Sequence, residues 1–113
     1  MSARAVHIVW DAVPATAAAP GIERQVVHGD GLTLVRVRLA RGAVLPRHEH
    51  PHAQCTTVLA GRLRVAVDGA PAAEAGPGET VAIPGGVAHE VEAVTDVLAL
   101  ETFVPEREDL PAS

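Results

Sequence analysis

Apolar and polar residues alternate in short runs along this chain, as in Val35-Arg36-Val37-Arg38-Leu39 and Leu63-Arg64-Val65. A period of two is the signature of strands with one buried face. Glycine and proline interrupt the runs every eight to twelve residues, the spacing of an all-β protein. The pattern predicts strands over Val6 to Trp10, Gln25 to His28, Leu32 to Arg41, Gln54 to Leu59, Arg62 to Asp68, Thr80 to Ile83, Val87 to Ala93 and Asp96 to Val104. Asp30-Gly31 favours a tight hairpin turn, a second hairpin is expected around Gly61, and Pro84-Gly85-Gly86 turns the chain again. Ala12 to Pro20 reads as a connector, because its alanines and prolines lack the bulk of a core element. Val97-Leu98-Ala99-Leu100 is apolar on both faces, so one face should line a core and the other should meet a second sheet or a second chain.

Eight to ten short strands must close into a barrel or pack as a sandwich to hide their edges. At 113 residues the chain has room for one domain. Apolar residues make up 48% of it with only one Phe, one Trp and no Tyr; Ala and Val carry most of the count, so small β-branched and methyl groups must knit the core, which suits strands. All nine basic residues are Arg, which excludes Schiff-base lysine chemistry and a lysine-assisted phosphate loop. A net charge of −5 with no basic run makes nucleic acid and anionic membranes poor partners. Met1 to Asp11 has neither a charged leader nor a long apolar stretch, and Cys55 is a lone cysteine; a cytoplasmic protein is expected.

The candidate chemistry lies in the histidines. His48 and His50 alternate after Pro46, so an extended chain turns both imidazoles to one side. Gln54 shares their parity if the intervening Pro51 does not break the strand, and His89, after the Pro84-Gly85-Gly86 turn, reaches the same point if its strand lies alongside. Together they form a candidate site for one divalent metal ion. His52 lies beyond Pro51 and is a candidate substrate contact. His7 and His28 read as core histidines satisfied by hydrogen bonds. Gly42, Gly61, Gly78 and Gly86 read as turns that need positive φ. Arg36 with Arg38, and Arg62 with Arg64, read as solvated outer faces, and Cys55 points away from the site.

These residues resemble the two motifs of the cupin superfamily. Gly42, His48, His50, Gln54 and Gly61 (residues 42–61) keep the spacing of the first motif, with Gln in place of Glu. Gly78, Pro84, Gly86 and His89 (residues 78–93) keep the second, with Ala93 where Asn is usual. The resemblance implies a single cupin domain over residues 1–113, an all-β barrel of the jelly-roll type, and His48, His50, Gln54 and His89 as metal ligands. Replacing a carboxylate with a neutral amide leaves the ion its full charge, which favours Lewis-acid chemistry over redox cycling. Zn, Ni, Fe, Mn and Cu all suit such ligands.

The segment from Glu101 to Leu110, together with His48-Glu49-His50-Pro51-His52-Ala53-Gln54, is similar to the small cupins of the pectin-degradation group, which linearise unsaturated sugar acids. That resemblance implies Glu101 as the proton-transfer residue and Phe103 and Arg107 as substrate contacts, with Arg107 suited to a two-pronged grip on a carboxylate. The expected activity is isomerisation or ring opening of a small anionic sugar-like or dicarbonyl substrate by a homodimer. A metal-dependent dioxygenase and a non-catalytic binding or sensor module are the competing readings. The metal-free epimerase cupins, which use a tyrosine acid, are excluded by the lack of Tyr.

Overall fold

A computed structural model describes residues 4–113; Met1 to Ala3, part of the stretch read as lacking a leader, lie outside the described residues. Among the described residues there is no α-helix, and no helix long and apolar enough to cross a membrane. A single 3₁₀ turn at Trp10–Ala12 precedes ten strands: β1 (Thr16–Ala19), β2 (Ile22–His28), β3 (Thr33–Leu39), β4 (Val44–His48), β5 (Ala53–Ala60), β6 (Leu63–Val67), β7 (Ala73–Ala75), β8 (Thr80–Ile83), β9 (His89–Ala93) and β10 (Val97–Val104). They form two antiparallel sheets, a larger one ordered β1-β2-β3-β10-β5-β8 and a smaller one ordered β4-β9-β6-β7. This is the jelly-roll architecture that the resemblance implies; the hairpin expected around Gly61 does not form, because β5 and β6 lie in different sheets.

Between the sheets, Val26, Val35, Val58, Leu63, Val65, Val91 and Ala99 are buried, and Phe103 is the one large aromatic ring among them. On β10, apolar on both faces in sequence, pairing selects one of them: Val97, Ala99 and Phe103 are buried and their neighbours less so. The outer faces differ. On the smaller sheet, Arg62 pairs with Glu74 and Arg47 with Asp68, a wet and charged surface. On the larger sheet, the face from β10 to β8 carries Leu98, Leu100, Thr102, Cys55, Thr57, Leu59 and Ala82, without a charge.

Two expectations are corrected at the N-terminus. Val6 to Trp10 is not a strand and pairs with no sheet edge. Instead the segment lies against β2 and β3, where the Gln25 side-chain amide donates to the carbonyls of Trp10 (2.7 Å) and Val13 (2.6 Å). The connector from Ala12 to Pro20 does contain a strand, β1, because the edge of β2 needs backbone partners and small alanines suffice there. The solvated reading of Arg36 also changes. Its guanidinium donates to Gln25 and Asp11 and lies over the Trp10 ring, pinned beneath the N-terminal segment, whereas Arg38 is exposed as expected. His7 is exposed rather than in a core.

The predicted glycines all have positive φ: Gly42, Gly61, Gly78 and Gly86. Gly85, which does not, is required for another reason. A Cβ there would collide with the Pro51 carbonyl, and the Gly86 amide donates to the His50 carbonyl at 2.8 Å, so this turn packs directly on the histidine loop.

Candidate metal centre

The strand order brings the two histidine stretches together. β4 ends at His48, which stands opposite His89 at the start of β9 on the smaller sheet. The chain then crosses to the larger sheet through His50, and on β5 Gln54 stands opposite Phe103 of β10. The ligating nitrogens of His48, His50 and His89 lie within 4.8 Å of one another, and the three could hold a metal ion.

Each of these rings is oriented from behind by a backbone carbonyl. His48 Nδ1 donates to Pro46 O (2.8 Å), His50 Nδ1 to His52 O (3.0 Å) and His89 Nδ1 to Val87 O (2.9 Å). A neutral imidazole has one N–H, so donation through Nδ1 leaves Nε2 as a bare lone pair facing the centre, the arrangement that fixes metal-binding histidines. Burial pushes the pKa of His50 down, helped by the nearby charges of Arg107 and His89. Burial does the same at His89, against the opposing carbonyl bond. Both shifts favour the neutral ring, the state a cation needs.

Two observations test the fit of a cation. His89 Nε2 is buried without any hydrogen-bond partner, an arrangement costly unless something occupies the centre. His50 Nε2 lies 3.1 Å from Gln54 Oε1. With the His50 proton on Nδ1 these are two acceptors facing each other, a contact that a shared cation would relieve. The donor set fits a divalent ion.

Gln54 is buried, and its amide nitrogen donates to Thr56 Oγ1 (2.8 Å) and Glu101 Oε2 (2.9 Å). Glu101 shares the inner face of β10 with Ala99 and Phe103. Desolvation raises its pKa to about 7, against the lowering effects of the Thr56 hydroxyl, Arg107 and Arg24. Thr56 was not singled out in the sequence, though its spacing from Gln54 gives it the same inward parity. Cys55, of opposite parity, is exposed on the outer face as expected.

Phe103 packs edge-on to His50 with ring centroids 5.6 Å apart, and the Arg107 guanidinium lies 4.7 Å above the Phe103 ring. The Nε and Nη2 fork of Arg107 is already engaged by both oxygens of Asp109 (3.2 and 2.6 Å), which holds the Asp109 carboxyl below its ordinary pKa. A guanidinium has five N–H groups, so the Nη1 end remains to take an anion. His52 lies beside His50, 5.6 Å between centroids, with Nδ1 buried and unpartnered; it stands outside the three-histidine cluster. His28 is satisfied by hydrogen bonds, as read from the sequence.

An open cavity of about 1350 Å³ reaches His50 and His52 from the surface. Asp30, Glu49, Glu106, Glu108 and Asp109 stand around it with Arg4, so its wall is mostly acidic and an anion is drawn instead toward Arg107, which lies over Phe103 beside His50.

The chain matches the family model of the cupin domain over residues 35–104. Among solved structures it is similar to KdgF from a Halomonas species, at 31% identity and a TM-score of 0.83 over 89% of this chain and 95% of that one. An RmlC-like cupin from Shewanella frigidimarina is 27% identical, with a TM-score of 0.83 over 90% and 92% of the two chains. Oxalate decarboxylase from Bacillus subtilis, at 21% identity and a TM-score of 0.78, covers 87% of this chain but only 29% of its own, a likeness of fold alone. No curated protein matches the chain significantly.

Proposed function

This chain belongs to the cupin family, and from that membership we propose that it is a metal-dependent enzyme that isomerises or ring-opens a small anionic, sugar-like or dicarbonyl substrate. The observation that carries the reading is the three-histidine cluster whose Nε2 atoms are left bare, with the Gln54 oxygen beside it and the Glu101 carboxyl behind Gln54. His48, His50, His89 and Gln54 would hold the ion. When bound, a divalent ion on neutral ligands polarises a carbonyl or hydroxyl oxygen as a Lewis acid.

The remaining work falls to the chain's own groups. Glu101, with a pKa near neutrality, is suited to take a proton and return it, since a base works best when its pKa lies near the operating pH. Thr56 and the Gln54 amide aim its Oε2. Arg107, stacked on Phe103 and braced by Asp109, offers its remaining N–H groups to a substrate carboxylate. Phe103 gives the ring of a sugar acid an apolar wall, and His52 borders the entrance. Resemblance to the pectin-degradation group, and similarity to KdgF, support an unsaturated uronate as the substrate.

The uncharged part of the larger sheet's outer face, from β10 to β8, supports a homodimer, because an apolar patch on an otherwise charged protein is covered most simply by a second copy. Incubating the zinc- or nickel-loaded protein without oxygen against unsaturated uronates and diketones tests the activity. Isomerised product is expected. A requirement for iron and oxygen would favour a dioxygenase, and tight binding without product a binding module.

A further inference from the structure

The anchor Arg107 lies in the segment after β10, outside any strand, yet its position is fixed by a hydrogen-bond chain that contains none of the candidate ligands. Thr33, the first residue of β3 and fully buried, accepts the Arg107 backbone N–H on Oγ1 at 2.8 Å. The same hydroxyl lies 2.8 Å from His28 Nδ1, and His28 Nε2 lies 2.7 Å from the Leu110 carbonyl. The proton order follows from chemistry. A carbonyl only accepts, so in the neutral ring Nε2 carries the proton and Nδ1 is the acceptor; Thr33 therefore donates its hydroxyl to His28 while accepting from Arg107. Every donor and acceptor in the chain is used.

The links grip both ends of the segment, its amide at Arg107 and its carbonyl at Leu110. Thr33 pairs in register with His28 on one side and Phe103 on the other, so the grip is referred to the same strands that place Phe103 under the guanidinium. Resting on the reading of Arg107 as the anion anchor, we infer that Thr33 and His28 are positioning residues: they hold the Arg107 segment so that its guanidinium stays over Phe103, and thereby set affinity for the substrate carboxylate. Neither touches the centre, so the metal and the proton-transfer step are untouched by their loss.

Thr33→Val keeps shape and strand preference but removes the hydroxyl, and Thr33→Ser restores it. In the full chain, glucuronate is titrated while the Arg107 side-chain N–H signal is followed by NMR, and exchange of the Arg107 backbone amide is measured in parallel. Thr33→Val should speed that exchange and weaken glucuronate binding, each by about tenfold, the order expected of one buried hydrogen bond. For a substrate that turns over, KM should rise similarly with kcat within about twofold, and Thr33→Ser should recover all three. An amide that exchanges as slowly in Thr33→Val as in the parent overturns the clamp. A fast amide with unchanged glucuronate affinity overturns the positioning role. If the parent's Arg107 signal ignores glucuronate altogether, the anchor reading fails, while the exchange rate still decides whether the clamp holds the segment.

Discussion

Gln54 Oε1 faces His50 Nε2 at 3.1 Å while the nitrogen of the same amide donates to Glu101 Oε2 at 2.9 Å. One side chain thus offers a lone pair to the centre and an N–H to a carboxylate. A glutamate at this position could do only the first. It would set two carboxylates against each other in a desolvated pocket, where like charges raise each other's pKa and one must stay protonated. The amide in place of the family's usual carboxylate is therefore explained by Glu101 as much as by the ion.

Gln54→Glu should bind a divalent ion more tightly, since a carboxylate adds a negative charge to the ligand set. It should also lose turnover by tenfold or more, because Glu101 loses its donor and gains a like-charged neighbour. Competition with a chelator and a rate assay on one preparation measure both effects, and their opposite signs are the expectation.

The raised pKa of Glu101 makes a prediction about the metal-free protein. The unfolded carboxyl has the ordinary value of 4.5, and the folded one about 7. Between these values the folded state holds the proton that the unfolded state has released, so stability falls as pH rises through the window. The stability present below pH ~4.5 should be lost by pH ~7, up to roughly 3 kcal/mol at 1.36 kcal/mol per unit. Glu101→Gln should lack this slope. Urea unfolding of chelated protein at several pH values compares the two, and parallel curves would remove desolvation as the cause.

Leu59 is 48% exposed on the uncharged β10 to β8 part of the larger sheet's outer face. Leu59→Arg should leave the fold intact, since its side chain is outside the core, and should shift sedimentation at micromolar concentration from dimer to monomer. A parent protein that already sediments as a monomer would refute the paired state.

The histidine centre was readable in the sequence because parity does the work: alternate residues on extended chain share a side, and the Pro84-Gly85-Gly86 turn returns His89 beside His48. The face of Glu101 was not, since β10 is apolar on both sides and parity alone cannot choose between them. Only pairing with β3 and β5 turns Ala99, Glu101 and Phe103 inward. The N-terminus misled for a related reason. Val6 to Trp10 has strand-like residues but leads into a turn held by side-chain contacts from Gln25 and Arg36 rather than by a ladder, whereas the alanines of β1 have weak β preference and are recruited by the free edge of β2. The Asp109 brace and the Thr33 clamp depend on the path of the C-terminal segment, which no periodicity records.

The central claim is that one cation is held by groups from β4, the loop after it, β5 and β9. Elemental analysis of untagged protein, with calorimetric titration of zinc into chelated samples, tests it most directly. The parent should bind one equivalent, and His50→Ala and His89→Ala should each weaken binding by tenfold or more while remaining folded. Unchanged stoichiometry and affinity in both variants, or a parent that takes up no divalent ion, would contradict it.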